Sequence, residues 1–269
     1  MKKLLFHFFI TISLYTHSQD GKFNFGARNM GLAGATVTLG DSYSLFNNVG
    51  GLGKVERHHV FGGYQSRYEI RELQIIGAGA IYHTKHGNAG VGFYKFGDNL
   101  FSQQRIHIAV GNQIQMVSLG VSVDLIQYNV SSVGTKQAIS IEFGGIAEIT
   151  PKLFFGAHIF NLNQADLSKE TGEKIPTVMK SGISYRPSSE LLLNLEIEKD
   201  LGFDEMIKVG LEYQLITNVF IRTGINTKPF LSAFGAGFHP KKFRFDYAYA
   251  NDSNLGSVHE ISLGYSFQE

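Results

Sequence analysis

The sequence predicts an all-β chain, a transmembrane antiparallel outer-membrane β-barrel of about fourteen strands with an N-terminal plug segment in its lumen. Three observations predict it. Apolar and polar residues alternate with period two in segments of about ten residues, the length of a tilted membrane-crossing strand. The chain opens with a secretory leader, and no later stretch reaches the roughly 18 to 20 consecutive apolar residues of a spanning helix. The connections between the alternating segments are short at one end of the strands and longer at the other, as bacterial barrels require.

Composition supports the class. The 269 residues carry 24 Lys and Arg against 23 Asp and Glu, a net charge of +1, with 31 Gly, 22 Phe and 12 Tyr. Many Gly and aromatic residues favour strands over helices. Near neutrality argues against nucleic acid as a partner, since phosphate binding needs a basic surplus on one face. The chain has no Cys, so its stability is expected to rest on packing and hydrogen bonds without disulfides.

The chain divides into three parts. Met1-Lys2-Lys3 followed by the apolar run Leu4 to Leu14 is a charged region and a hydrophobic core too short to span a bilayer, which predicts a signal peptide over 1–18. Residues 19–54 form the plug and 55–269 the barrel. The stretch from Phe25 to Lys54, FGARNMGLAGATVTLGDSYSLFNNVGGLGK, is rich in Gly and Ala and has too little polar surface for a linker. No Pro/Ser-rich linker, low-complexity run or charge block marks a further domain.

That stretch also carries a resemblance. Gly26-Ala27-Arg28, Met30-Gly31-Leu32, Gly34-Ala35, Asp41, Ser44-Leu45-Phe46, Asn48 and Gly51-Leu52 resemble the N-terminal signature of the FadL-type outer-membrane barrels, especially their PorV/PorQ-like relatives from type IX secretion. Two positions depart from the pattern: Val49 stands where the family usually has Pro, and Gly50 where it usually has Ala. Gly210 to Tyr213, RTGI from Arg222 and DYAYA from Asp246 resemble the C-terminal half of the same proteins.

From about Val55 onward the strands follow. In the clearest, Leu191, Leu193, Leu195 and Ile197 fall on one face while Asn194, Glu196 and Glu198 fall on the other. Similar runs centre near Phe61, Ala78, Phe93, Ile108, Val121, Ile141, Ala157, Ile183, Leu211, Ile221, Phe234, Tyr247 and Leu263. The earliest runs are diluted by Gly62, Gly63, Gly77 and Gly79, so that twelve strands also fit. A strand count that is even closes an antiparallel barrel and leaves no unpaired edge in hydrocarbon. Short inner turns are expected at His83 to Asn88, Gly111 to Gln115, Ile149 to Lys152, Arg186 to Glu190, Ile216 to Asn218 and Pro240 to Lys242. The longest outer loop, Asn161 to Pro176, is strongly polar and is expected to be exposed. The last strand ends with Leu263, Tyr265 and Phe267 on one face, which resembles the C-terminal insertion signal read by the barrel-insertion machinery.

The inward faces collect charges of both signs: Arg105, Asp124, Glu142, Lys180, Glu196, Glu198, Lys208, Glu212, Arg222, Arg244, Asp246 and Glu260. Cross-strand pairing is expected between Glu212 and Arg222, between Arg244 or Asp246 and Glu260, and between wall carboxylates and Arg28 of the plug. Mixed signs favour structural ion pairs over a selectivity lining. No catalytic residue, metal site or cofactor is expected. Glu196 and Glu198 share a strand face, as lumen charges commonly do; His58-His59, His83 and His86 lack an acidic partner at ligand spacing; Gly26, Gly31 and Gly34 lack the context of a phosphate-binding loop; and no Ser sits in a nucleophile elbow.

The resemblance implies an integral protein of the outer membrane of a Gram-negative bacterium, surrounded by outer-membrane lipid. It implies first an anchoring, shuttle or scaffold component of type IX secretion or cell-surface attachment, with a secretion channel, attachment complex or cargo protein as partner. The alternative it implies is a FadL-like passive transporter with a hydrophobic ligand. In that reading Gly77 to Ala80 or Phe234 to Gly237 supplies a kink for an opening between strands, whereas the short outer loops make a binding groove hard to build.

Overall fold

A computed structural model describes residues 23–168 and 172–267. The leader, the first four plug residues and positions 268–269 lie outside the described residues. Fourteen strands form one closed barrel with antiparallel neighbours throughout. They are β1 (His59–Arg67), β2 (Ile70–Thr84), β3 (Gly87–Gly97), β4 (Phe101–Ile114), β5 (Val117–Val130), β6 (Gly134–Thr150), β7 (Leu153–Phe160), β10 (Val178–Tyr185), β11 (Leu191–Asp200), β12 (Met206–Ile216), β13 (Val219–Thr227), β14 (Phe230–Phe238), β15 (Phe243–Asp252) and β16 (Gly256–Ser266). Each alternating run of the sequence falls on one of them. A small hairpin, β8 (Asp166–Ser168) with β9 (Glu173–Lys174), stands in the loop between β7 and β10. β1 pairs with β16 from His59 opposite Ser266 to Arg67 opposite Val258, which closes the cylinder.

The alternation is inverted relative to a water-soluble sandwich. Along β5, Ser118, Ser122 and Asp124 are buried while Leu119, Val121, Val123 and Leu125 are exposed. On β11, Asn194, Glu196 and Glu198 are buried while Leu193, Leu195 and Ile197 are exposed. An apolar outer surface on every side is tolerable only in hydrocarbon, so the wall is built for a bilayer. Tyr82, Tyr185, Tyr213, Phe238, Phe243 and Phe267 are exposed near the end of the barrel that carries the short turns. These aromatics form an interfacial girdle at that end.

Tight turns close both ends, and only the connection 161–177, at the outer end, is long. At the inner end the turns between β2 and β3, β4 and β5, and β12 and β13 are two residues long, with Gln115 and Asn218 at positive φ. At the outer end the β1–β2 turn, Tyr68-Glu69, holds both residues near φ 57°, the left-handed geometry of a tight hairpin. Neither is Gly, so the turn carries backbone strain.

The segment 23–55 runs inside the barrel and is almost wholly buried. It contains two short helices, α1 (Ala27–Gly31) and α2 (Ser44–Asn47), then a 3₁₀ turn over Val49–Lys54 that delivers the chain to β1. The wall admits it by omitting side chains. A Cβ on Gly120 would lie 2.2 Å from the Val49 carbonyl oxygen, and one on Gly224 would lie 2.5 Å from the Leu32 carbonyl carbon.

Candidate functional site

The residues of the N-terminal signature dock the segment against itself and against the wall. Arg28 reaches Glu212 of β12 through Nε at 2.8 Å and Nη2 at 2.5 Å, and Asp41 through Nη1 at 2.8 Å. Asp41 also accepts from the Tyr43 N–H at 2.9 Å. Asn48 caps the 3₁₀ turn by accepting from the Gly50 N–H at 2.9 Å, and donates to the carbonyls of Val37 and Gly145. Gly26 lies under the Tyr43 ring, Gly31 against Gly235, Gly34 beside Lys208, and Gly51 under Ser44. Leu52 is fully buried and its carbonyl accepts from Asn88 at 2.7 Å. The departure at Gly50 has a steric reason: a Cβ there would fall 2.3 Å from the Gly145 nitrogen.

All the inward charges but Arg244 sort into five groups. Arg105 donates to Asp124 at 3.0 Å and to Glu142, with His107 against both Arg105 and Asp124 and His158 3.1 Å from Glu142. His107, Asp124 and Glu142 bring ligand atoms within 4.8 Å of one another, as a metal would require. The Arg105 guanidinium already bonds to all three and stands where the cation would sit. Lys208 bridges Glu196 at 2.9 Å and Glu198 at 2.6 Å, and Glu196 accepts from the Thr36 and Val37 N–H groups at 2.8 Å each. Lys180 donates to Asn24 at 2.6 Å. Arg222 joins Glu212 at 2.5 Å to Asp246 at 2.6 Å, with His239 3.0 Å from Asp246. Glu260 accepts from the Gly26 N–H at 2.7 Å and from Gln65 at 3.0 Å.

The expected pair of Glu260 with Arg244 or Asp246 does not form. The register places Ala248 opposite Glu260 and Asp246 opposite Ser262, and Arg244 lies a further strand pleat toward the inner end. His58, His83 and His86 sit in turns and at strand ends: the His83 N–H donates to His58, whose ring stacks on Tyr82, and His83 bonds Asn88. Leu263 and Phe267 are exposed on the lipid side of β16 and Tyr265 is half-buried, with the Tyr265 ring packed between Phe243 and Phe267.

The segment leaves a hollow at each end of the barrel. The outer one, about 360 Å³, is walled by Tyr68, Leu73, Tyr94, Phe96, Leu231 and Leu255, floored by Met30 of α1, and edged by Gln65, Arg67, Gln103 and Asp252. The strained turn thus sets Tyr68 on its rim, where Arg67 also lies over the Phe96 ring at 5.8 Å. A cup lined by aromatic and aliphatic side chains with polar groups among them has the size of a small-molecule site. Sequence reasoning missed it because its lining comes from strand ends on opposite sides of the barrel and from the segment, so no local motif records it. Long loops are not needed to build it.

The outer loop 161–177 is also less exposed than its polarity implies. Ile175 is buried with Phe23 and Phe160 in one apolar cluster, against which Leu167 packs. The inner hollow, about 400 Å³, is polar and lies between the strap 54–59 and the β14–β15 turn. A further apolar hollow of about 510 Å³ faces outward between Val110, Leu119, Val121 and Phe143 and belongs to the lipid side.

The wall shows no gap at the expected kinks. Gly77 to Ala80 pair residue for residue with β1 and β3, and Phe234 to Gly237 with β13 and β15. These glycines serve the lumen instead: Gly77 faces the Phe25 ring and Gly235 faces Gly31.

No protein-family model and no curated protein matches the chain. Solved structures do resemble it. The deltaS2 mutant of the TodX monoaromatic hydrocarbon channel superposes with a TM-score of 0.72 at 10% identity, over 92% of this chain and all of that one. A Pseudomonas aeruginosa FadL homologue superposes with a TM-score of 0.67 at 11% identity, over 90% of this chain and 98% of that one. At such identities the likeness is one of fold: a closed antiparallel barrel of fourteen strands like those of the FadL-type channels.

Proposed function

We propose that this barrel is a passive outer-membrane transporter of hydrophobic small molecules, which takes its ligand into the outer cup and passes it when the N-terminal segment shifts. The cup floored by Met30 carries this reading, because it joins an outward-open chamber, walled by aromatic and aliphatic side chains with polar groups among them, to the one element that separates it from the inner hollow. The fold-level likeness to a monoaromatic hydrocarbon channel favours the same reading. Titration of the purified protein in detergent with a series of aromatic and aliphatic hydrocarbons tests it. Saturable binding is expected, weakened about tenfold or more by Leu231→Asp, since a buried unpaired charge opposes an apolar ligand. Absence of saturable binding, or equal binding by the variant, contradicts it.

One observation favours a second reading, the PorV/PorQ-like adapter in secretion or surface attachment: the segment ties down the lumen on all sides while the wall stays closed. Recovery of a stoichiometric protein partner with the barrel from solubilised outer membranes, together with no hydrocarbon binding, would select it.

A further inference from the structure

The inner hollow carries an excess of cations that the fold does not use. Five Lys and Arg side chains line it, against the carboxylates of Asp41 and Glu56. Asp41 is committed to Arg28 and to the Tyr43 N–H, and Glu56, like Arg57 and Lys241, is exposed at the mouth. Among the described residues, Arg57, Lys241, Lys242 and Arg244 make no ion pair within 4 Å, whereas the cations higher in the lumen, Arg28, Arg105, Lys208 and Arg222, each hold carboxylates. The Nδ1 atom of His59, also in the lining, is buried without a hydrogen-bond partner.

These groups lie on two separate elements. Arg57 and His59 belong to the strap that carries the segment into β1, whereas Lys241, Lys242 and Arg244 belong to the β14–β15 turn and the start of β15. Arg244 lies two residues before the buried lumen residue Asp246, on the same face of β15. Arg244 thus faces the inside of the ring of strands, and the basin opens at the inner mouth of the barrel. Like charges converging on a concavity focus a positive potential there. Several Arg and Lys donors facing one space match the acceptor-rich geometry of a phosphate or carboxylate group.

We propose that this basin is an anion site on the inner face of the barrel, taking a soluble multivalent anion of phosphate or carboxylate chemistry that bridges the strap to the β14–β15 turn. Bridging fixes the strap, and through it the exit of the N-terminal segment, so bound anion holds the segment in place. The site stands on its own geometry and does not depend on what enters the outer cup.

The test uses inorganic pyrophosphate as probe, the full mature chain in nanodiscs, calorimetric binding and limited proteolysis of the segment, all at matched ionic strength against chloride. Saturable binding and slower cleavage of the segment are expected for the unaltered protein. Binding should weaken about tenfold or more in Arg57→Gln/Arg244→Gln, the loss of at least one charge-assisted contact, and also in Lys241→Gln/Lys242→Gln, and should be unchanged in Lys174→Gln on the outer loop. Equal binding by both double variants, or none above the chloride control, overturns the proposal. Nanodiscs of zwitterionic lipid and nanodiscs containing phosphatidylglycerol should bind the probe equally. Loss of binding on adding the anionic lipid would overturn the luminal site and assign these cations to headgroups.

Discussion

Arg28 and Glu212 face each other in a two-pronged contact, Nε to Oε2 at 2.8 Å and Nη2 to Oε1 at 2.5 Å. Glu212 in turn holds Arg222, and Arg28 holds Asp41, 13 residues further along the segment. One guanidinium thereby joins both arms of the segment to the wall. Planar, bidentate geometry of this kind is available to Arg and not to Lys.

Replacing Arg28 with Ala should therefore loosen the segment more than the barrel. Removing one partner of a mostly buried pair strands the other, at a cost of about 3 kcal/mol. Arg28→Lys should recover part of that loss. Limited proteolysis between residues 23 and 55 reads the effect directly, and denaturant unfolding in lipid vesicles gives its size. Equal protease resistance of all three proteins would show that the contact does not hold the segment.

Gly120→Ala tests the fit between wall and segment. The added methyl would sit 2.2 Å from the Val49 carbonyl oxygen, closer than any tolerated contact, and backbone has little room to give. A destabilisation of about 1–3 kcal/mol is expected, again with faster cleavage of the segment. A neutral result would mean that the segment already moves freely past β5.

Leu195→Arg tests the lipid face. Leu195 points outward at the middle of β11, and a cation near the bilayer midplane costs about 2–4 kcal/mol in barrels of this type. Folding into vesicles should be weakened accordingly, while the same change at Leu201 in the β11–β12 loop should have little effect.

Much of this architecture was legible in the sequence because a barrel strand obeys a period of two and a bilayer inverts its polarity. Leu191 to Lys199 shows both at once. The segment was legible for a different reason: its Gly and Ala residues stand where backbone must approach backbone, as Gly31 meets Gly235. Stagger between strands was legible only across a tight turn, where Glu212 pairs with Arg222 as expected. Glu260 and Asp246 both point inward, yet a two-residue offset gives Glu260 to Gln65 and Gly26, and Asp246 to Arg222. The outer cup was hidden for the same reason, since Met30, Tyr68, Phe96 and Leu231 are brought together only by closure of the barrel. The basic inner basin had no single motif either, although Lys242 closed the expected turn from Pro240.

In the proposed transport the segment must shift for a hydrophobic molecule to cross. The absence of native Cys allows a direct measurement: Ala27→Cys with Ser262→Cys, at positions where the Ala27 nitrogen and the Ser262 oxygen are 3.1 Å apart, in proteoliposomes loaded by passive uptake of a labelled hydrocarbon. Uptake that stops on oxidation and returns on reduction is the expected result, with the barrel folded in both states. Uptake that is equal in the oxidised and reduced protein would contradict the claim.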